Sequence, residues 1–149
     1  MSALFAVTVK SIIQNAEGKV LILVKERGGK MYLDLPGGRI EGSDTFEQCL
    51  KRELSEELSL GGEINLKKQF GEIWEFPTQI FNVNERRLVV TFLVEAKLDG
   101  LKLKEEHKKL LWLDRKDLDT IEQSGYIFLK GFRDSLANFF TTLSSPRKS

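Results

Sequence analysis

Gly38-Arg39-Ile40-Glu41-Gly42-Ser43-Asp44-Thr45-Phe46-Glu47-Gln48-Cys49-Leu50-Lys51-Arg52-Glu53-Leu54-Ser55-Glu56-Glu57-Leu58-Ser59-Leu60 reads as a glycine turn running into an acidic helix. Glu53, Glu56 and Glu57 stand at i, i+3 and i+4, which stacks three carboxylates on one helical face. With Phe46 as zero and about 100° per residue, Cys49, Leu50, Leu54 and Leu58 fall at about 300°, 40°, 80° and 120°. Glu53 and Glu57 come out at about 340° and 20° on the same count, inside the apolar stripe, with Glu56 near its edge. Gln48, Lys51, Arg52 and Ser55 take the solvent side.

A helix that only packs carries Leu or Ala where Glu53 and Glu57 stand. Like charges at i,i+4 cost roughly 0.2–0.5 kcal/mol even on an exposed helix. Partly desolvated they cost more, unless protons or a cation neutralise them. A hard divalent cation resolves the conflict: Mg²⁺ takes oxygen ligands and is usually held by one or two carboxylates together with substrate phosphates. Upstream, Leu33-Asp34-Leu35-Pro36-Gly37-Gly38 reads as a strand end, a proline stop and a glycine turn. Glycines let backbone approach a ligand closely, so an amide or carbonyl at Gly37 or Gly38 can touch a metal or a phosphate.

These residues resemble the Nudix hydrolase family. Its box runs Gly, five residues, Glu, seven residues, then Arg-Glu-aliphatic-any-Glu-Glu-any-Gly-aliphatic. Gly38 opens the match, Arg52 to Leu58 keep its register without insertion, and Leu60 closes it. Asp44 stands where the family has Glu, and Ser59 where it has Gly. Asp44 keeps the charge but is one methylene shorter; it suits the helix N-cap, with Glu47 as capping-box partner. Ser59 is expected to move the helix stop onto Gly61-Gly62.

The resemblance implies an α/β/α sandwich with a mixed sheet between helices, in one domain spanning residues 1–149. It implies that Glu53, Glu56 and Glu57 are metal ligands, with Glu53 the candidate general base. Arg52 would orient these acids, and Gly37 would offer its carbonyl to the metal. A further acid outside the box would be Glu106, six residues before Trp112, with Glu105 as its neighbour. The metal expected is Mg²⁺, with Mn²⁺ as the other ion such a site takes.

Charge is balanced over the 149 residues, 23 basic against 22 acidic, so there is no footprint for duplex nucleic acid. Lys25, Arg27, Lys30 and Arg39 nevertheless gather just upstream of the acidic helix, as a rim that could face phosphate. Arg39 and Arg27, with the backbone of Gly38, are therefore the candidate substrate-binding groups. Cys49 is the single cysteine, which excludes an internal disulfide, and its place on the apolar stripe suits a buried hydrophobe. No run of 18 apolar residues and no leader-like N-terminus occurs, so the expectation is a soluble cytoplasmic protein without a membrane partner. Monomer and homodimer both stay open. His107, the only histidine, reads as a surface residue.

Strand signals cover Leu4–Ile13, Val20–Val24, Tyr32–Leu35 and Ile64–Phe76. Gln79–Val83 and Arg87–Ala96 read as a hairpin turning near Asn82–Glu85, and Leu110–Leu113 as a final strand. Helices are expected over Thr45–Leu58 and Phe132–Leu143, far apart in sequence and so on opposite faces of a sheet.

The reaction implied is metal-dependent hydrolysis of a nucleoside diphosphate linked to X, with a nucleoside triphosphate favoured because the short chain resembles mutator-type members. ADP-ribose or a nucleotide sugar is the alternative: Phe76-Pro77 falls a residue or so from where ADP-ribose-cleaving members carry a proline. The coenzyme A signature is absent. Trp74, Phe76 and Phe81 could stack on a base, although such aromatics more often pack in cores. A third reading, a nucleotide-binding module without catalysis, would call for damaged metal acids, and all three are present.

Overall fold

The computed structural model describes residues 4–77, 84–104, 109–129 and 131–144. Its strands are β1 (Ala6–Ile12), β2 (Val20–Arg27), β3 (Lys30–Asp34), β4 (Gly37–Arg39), β5 (Ile64–Glu75), β6 (Arg87–Ala96), β7 (Lys109–Leu113) and β8 (Tyr126–Phe128). The helices are α1 (Phe46–Leu58), α2 (Arg115–Thr120) and α3 (Phe132–Ser144), with a 3-10 turn at Ile121–Ser124. One sheet has the order β4-β1-β6-β5 and the other β7-β2-β3-β8. Both are mixed: β1 runs parallel to β6 and β3 parallel to β8, while the other neighbours are antiparallel. They meet at one corner, where Leu21 N–H donates to the Ile13 carbonyl at 2.9 Å and Ser11 N–H to the Pro36 carbonyl at 2.8 Å.

The strand β2 shows why its sequence is apolar at successive positions. Val20, Ile22 and Val24 pack in one core with Phe132, Leu136, Phe139 and Phe140 of α3. Leu21 and Leu23 point the other way, into a second core with Cys49, Leu50, Leu54 and Leu58 of α1. A strand covered on both faces loses the polar alternation of a half-exposed one. The expected layering, strands between helices, is the observed one. Leu50, Leu54 and Leu58 are fully buried, and each contributes roughly 1.5–3 kcal/mol by leaving water.

Several local expectations are corrected. The turn expected at Pro-Gly-Gly is a short strand: β4 pairs antiparallel with β1 through Lys10↔Gly37, Val9↔Gly38 and Thr8↔Arg39. The antiparallel partner of β6 is β5, from Ile64↔Ala96 to Glu75↔Arg87. The segment expected to pair there, residues 79–83, lies outside the described residues, as do Glu105, Glu106 and His107. The elements α2 and β8 were not expected; α2 starts on a reciprocal cap between Asp114 and Asp117.

Both ends of α1 also differ from expectation. The N-cap is Thr45, not Asp44: its side chain accepts from the Gln48 amide at 3.2 Å, and the Gln48 side chain accepts from the Thr45 amide at 2.9 Å. Asp44 does not cap because its carboxylate is taken by Arg52. At the other end the helix stops at Leu58, and Ser59 itself adopts the left-handed conformation (φ 58°, ψ 27°). Neither Gly61 nor Gly62 has a positive φ. The early stop lets Leu60 N–H close back on the Leu54 carbonyl at 3.2 Å and buries the Leu60 side chain. That burial offsets a left-handed residue with a side chain, which costs about 1–2 kcal/mol. Ser59→Gly should therefore stabilise the fold by about 0.5–1 kcal/mol, read as a higher urea midpoint at unchanged m-value.

Candidate active site

The inner face of α1, β4 and the adjoining parts of β1 and β2 enclose an open cleft of about 560 Å³. Glu53, Glu56 and Glu57 line it, together with Gly37, Gly38 and Arg39. Glu57 is buried, 7% exposed, and its Oε1 accepts the Gly37 N–H at 2.9 Å. Burial pushes its carboxyl above the ordinary value of 4.5, a rise that the Gly37 amide, Lys10 and Lys25 reduce but do not cancel. Glu53 is partly buried and also shifted upward, first by burial and then by the charges of Glu57 and Glu56. Glu56 is exposed at the cleft margin, as its angle on the stripe predicts.

The glycines of β4 are required by this closeness. A Cβ on Gly38 would stand 2.3–2.6 Å from the carboxyl atoms of Glu53. Gly37, at φ 142°, turns its amide to Glu57, and a Cβ there would meet the Val9 carbonyl oxygen at 2.0 Å. The resemblance implies a metal-facing carbonyl at Gly37; the bond displayed here is its N–H donating to Glu57.

Arg52 ties the helix to the loop before it. Its guanidinium bonds Asp44 and donates to the Arg39 carbonyl at 3.1 Å, while Glu53 Oε1 lies 3.8 Å away. Asp44 is held below the ordinary carboxylate range by that Arg52 bond, and the Arg52 pKa is raised by it. Arg52 thus pins α1 to the loop before it, beside Glu53. Cys49 is buried, with its thiol pushed up to about 11 chiefly by burial, and it donates to the Gly38 carbonyl at 3.5 Å. It packs rather than attacks.

Of the basic residues expected around phosphate, Lys25, Arg27 and Arg39 line the cleft and Lys30 does not. Arg39 is engaged by Glu85, with Nη2 at 2.7 and 2.6 Å from the two carboxylate oxygens. Sequence reasoning missed Lys10 and Asp34. Asp34 is 3% exposed, and its Oδ2 meets Lys10 Nζ at 3.2 Å and Lys25 Nζ at 2.8 Å. Burial would raise its pKa, but the two ammonium groups outweigh burial and hold it below the ordinary value. Within β1, where Thr8 and Ser11 are also polar, Lys10 carries no signal that sets it apart. Trp74 and Phe76 are surface residues edge-on to Phe5, at 5.2 and 6.0 Å. Register explains why Trp74 misses the cleft: it pairs with Leu88 and Leu88 with Val7, which pack against the second core, whereas the cleft takes the alternate residues Thr8 and Lys10. Phe81 lies outside the described residues.

Among the described residues, no three carboxylate, imidazole or thiol groups form a ready-made metal cage. The donors present are carboxylate and backbone oxygens, with two desolvated acids whose mutual repulsion a cation would relieve. Such a donor set fits a hard divalent ion, because Mg²⁺ completes its shell with water and substrate phosphate rather than with protein alone.

The shifts have a pH signature. A carboxylate with a raised folded pKa does not weaken the fold below its ordinary value of 4.5; the penalty grows as pH rises towards the folded value, then stays constant. Glu57→Gln keeps an oxygen acceptor for Gly37. It should raise the melting temperature of the metal-free protein at pH 7, and the difference should vanish near pH 4. Scanning calorimetry in EDTA at both pH values checks this.

The NUDIX domain family model matches residues 4–132. A Haemophilus influenzae protein described as 8-oxo-dGTP diphosphatase is 36% identical over 76 residues, covering 48% of this chain and 53% of the relative. The chain thus matches about half the length of that curated relative. Among solved structures, the E. coli ORF135 protein superposes with a TM-score of 0.71 at 18% identity, over 99% of this chain and 96% of the other. A MutT protein from Methanosarcina mazei Go1 gives 0.71 at 21%, over 97% and 99%. A C. elegans Ap4A hydrolase gives 0.69 at 16%, over 93% and 98%. At these identities the structures speak for the fold.

Proposed function

The chain belongs to the NUDIX domain family, and on that footing we propose that it hydrolyses a phosphoanhydride bond in a nucleoside diphosphate linked to X, a nucleoside triphosphate first. The observation that carries this reading is the pair Glu53 and Glu57, turned inward from α1 against the Gly37-Gly38 backbone in a cleft that also carries basic side chains. The likeness to a relative described as 8-oxo-dGTP diphosphatase supports the triphosphate.

Glu53, Glu56 and Glu57 would hold Mg²⁺, or Mn²⁺ in its place. Bound there, the ion would neutralise diphosphate charge and acidify water. The chain's own part is positional and basic. Glu53 takes the proton of the water that attacks phosphorus, a role suited to a carboxylate whose pKa burial has raised. The new bond joins water oxygen to phosphorus as the anhydride bond breaks, and the electron pair leaves on the departing phosphate. Glu57 is held by the Gly37 amide, and Arg52 fixes the helix against the Arg39 carbonyl.

Incubation with a panel of nucleotides and Mg²⁺ tests the proposal. Pyrophosphate and a nucleoside monophosphate are the expected products. Two monophosphate products from ADP-ribose or a nucleotide sugar would move the substrate to the alternative, and tight binding without turnover would make the chain a binding module. Glu53→Gln should lower kcat by roughly 10²–10⁴-fold while the circular dichroism spectrum stays native. EDTA should abolish turnover, and added Mg²⁺ should restore it.

A further inference from the structure

Lysine is almost never buried unless paired, yet Lys10 on β1 is only 8% exposed. Its partner is Asp34 at the end of β3, and that same carboxylate also holds Lys25 from β2. Asp34 Oδ1 is occupied by the Leu35 amide at 2.8 Å, so Oδ2 alone serves both ammonium groups. One cation is enough to neutralise a buried aspartate. The second is surplus to Asp34 itself, and both lysines line the cleft across from Glu53 and Glu57.

The other cationic lining residues are placed differently. Arg39 already holds Glu85, and both side chains are about half exposed. Arg27 stands on the exposed end of β2. Only Lys10 and Lys25, among the described lining residues, are anchored on a buried carboxylate, which fixes where their charge sits. Each ammonium has three donors and gives one to Asp34, leaving donors for an anion in the cleft.

We propose that Lys10 and Lys25, held by Asp34, form a fixed cationic seat for the substrate's diphosphate on the wall of the cleft. This rests on the hydrolytic reading. A diphosphate entering a cleft lined by three glutamates meets repulsion, and a preorganised pair of ammonium groups opposes it without reordering at each turnover. Asp34 is a positioning residue: it acts only through the two lysines.

Lys10→Met and Lys25→Met each leave the other lysine paired with Asp34, so both variants should fold. Asp34→Asn would strand two buried cations and is a poorer test. Lys67→Met removes a charge whose partner is Glu95, on the β5–β6 surface away from the cleft, and is the control. In Mg²⁺, each cleft variant should raise KM for the nucleotide about tenfold with kcat within about twofold, the scale of one charge-assisted hydrogen bond. Calorimetric titration with inorganic pyrophosphate in Mg²⁺ should show a matching loss of affinity, and the control should show neither change. Wild-type KM and pyrophosphate affinity in both cleft variants would overturn the seat while leaving hydrolysis standing. A fall in kcat at constant KM and constant pyrophosphate affinity would overturn it as well. A wild-type chain that cleaves no nucleotide would instead overturn the hydrolytic reading, and the pyrophosphate titration would still judge the lysines.

Discussion

Glu57 lies buried among the leucines of α1 and Glu53 stands half-buried one turn before it, although a helix made only to pack would place hydrocarbon at both positions. Much of the surrounding backbone answers this burial. The Gly37 amide reaches Glu57 only because β4 runs directly beneath the helix, and β4 keeps that course by pairing with β1. Gly38 lacks a side chain because the Glu53 carboxyl occupies that space. Neutralising the acids internally would have disposed of the repulsion. Instead both remain raised in pKa at the wall of an open cleft, the condition in which a cation from solution gains most by binding.

The charges around these acids differ in weight according to burial. Lys51–Glu63, well exposed, is screened by water and contributes little. The Lys10–Asp34–Lys25 cluster is buried at its carboxylate, where stranding a partner costs about 3–5 kcal/mol. Because a buried pair is weak support for stability compared with apolar packing, its retention beside the cleft is better explained by placement of charge than by folding. The two cores make the same point. Leu21 and Leu23 secure one face of β2 and Val20, Ile22 and Val24 the other, leaving the strand's polar end at Lys25 to face the cleft.

The layering and the acidic face were legible because each is a local periodicity. The angular count puts Glu53 and Glu57 among leucines, and two helical periodicities far apart in sequence imply cover on opposite faces. Non-local pairing was not legible. Arg87–Ala96 was bounded correctly, but its partner, β5, lies across a long connection that no local pattern encodes. The three-residue strands β4 and β8 carry too few residues to show a period, and each exists through neighbours distant in sequence. Lys10 and Asp34 stayed hidden for a related reason. In a single strand each resembles an ordinary polar alternation, and only the superposition of β1, β2 and β3 brings them together.

The two departures from the family pattern, Asp44 and Ser59, fall just before and just after α1, where they bear on the site without touching it. A slip of α1 by one residue would rotate its carboxylates by about 100° and carry them out of the cleft. Several bonds oppose that slip. Thr45 and Gln48 close the first turn, and Arg52 joins Asp44 to the Arg39 carbonyl. At the far end, Leu60 N–H closes on the Leu54 carbonyl, and Lys102 and Lys104 donate to the carbonyls of Leu58 and Glu57 at 2.9 and 3.2 Å. A shorter acid at Asp44 is tolerated because the arginine reaches it directly, which frees the capping role for Thr45. A serine at Ser59 is tolerated because Leu60 must enter the core one residue later, so packing dictates the left-handed turn even without glycine. Both substitutions are absorbed where they arise, and the angular setting of Glu53 and Glu57 is preserved.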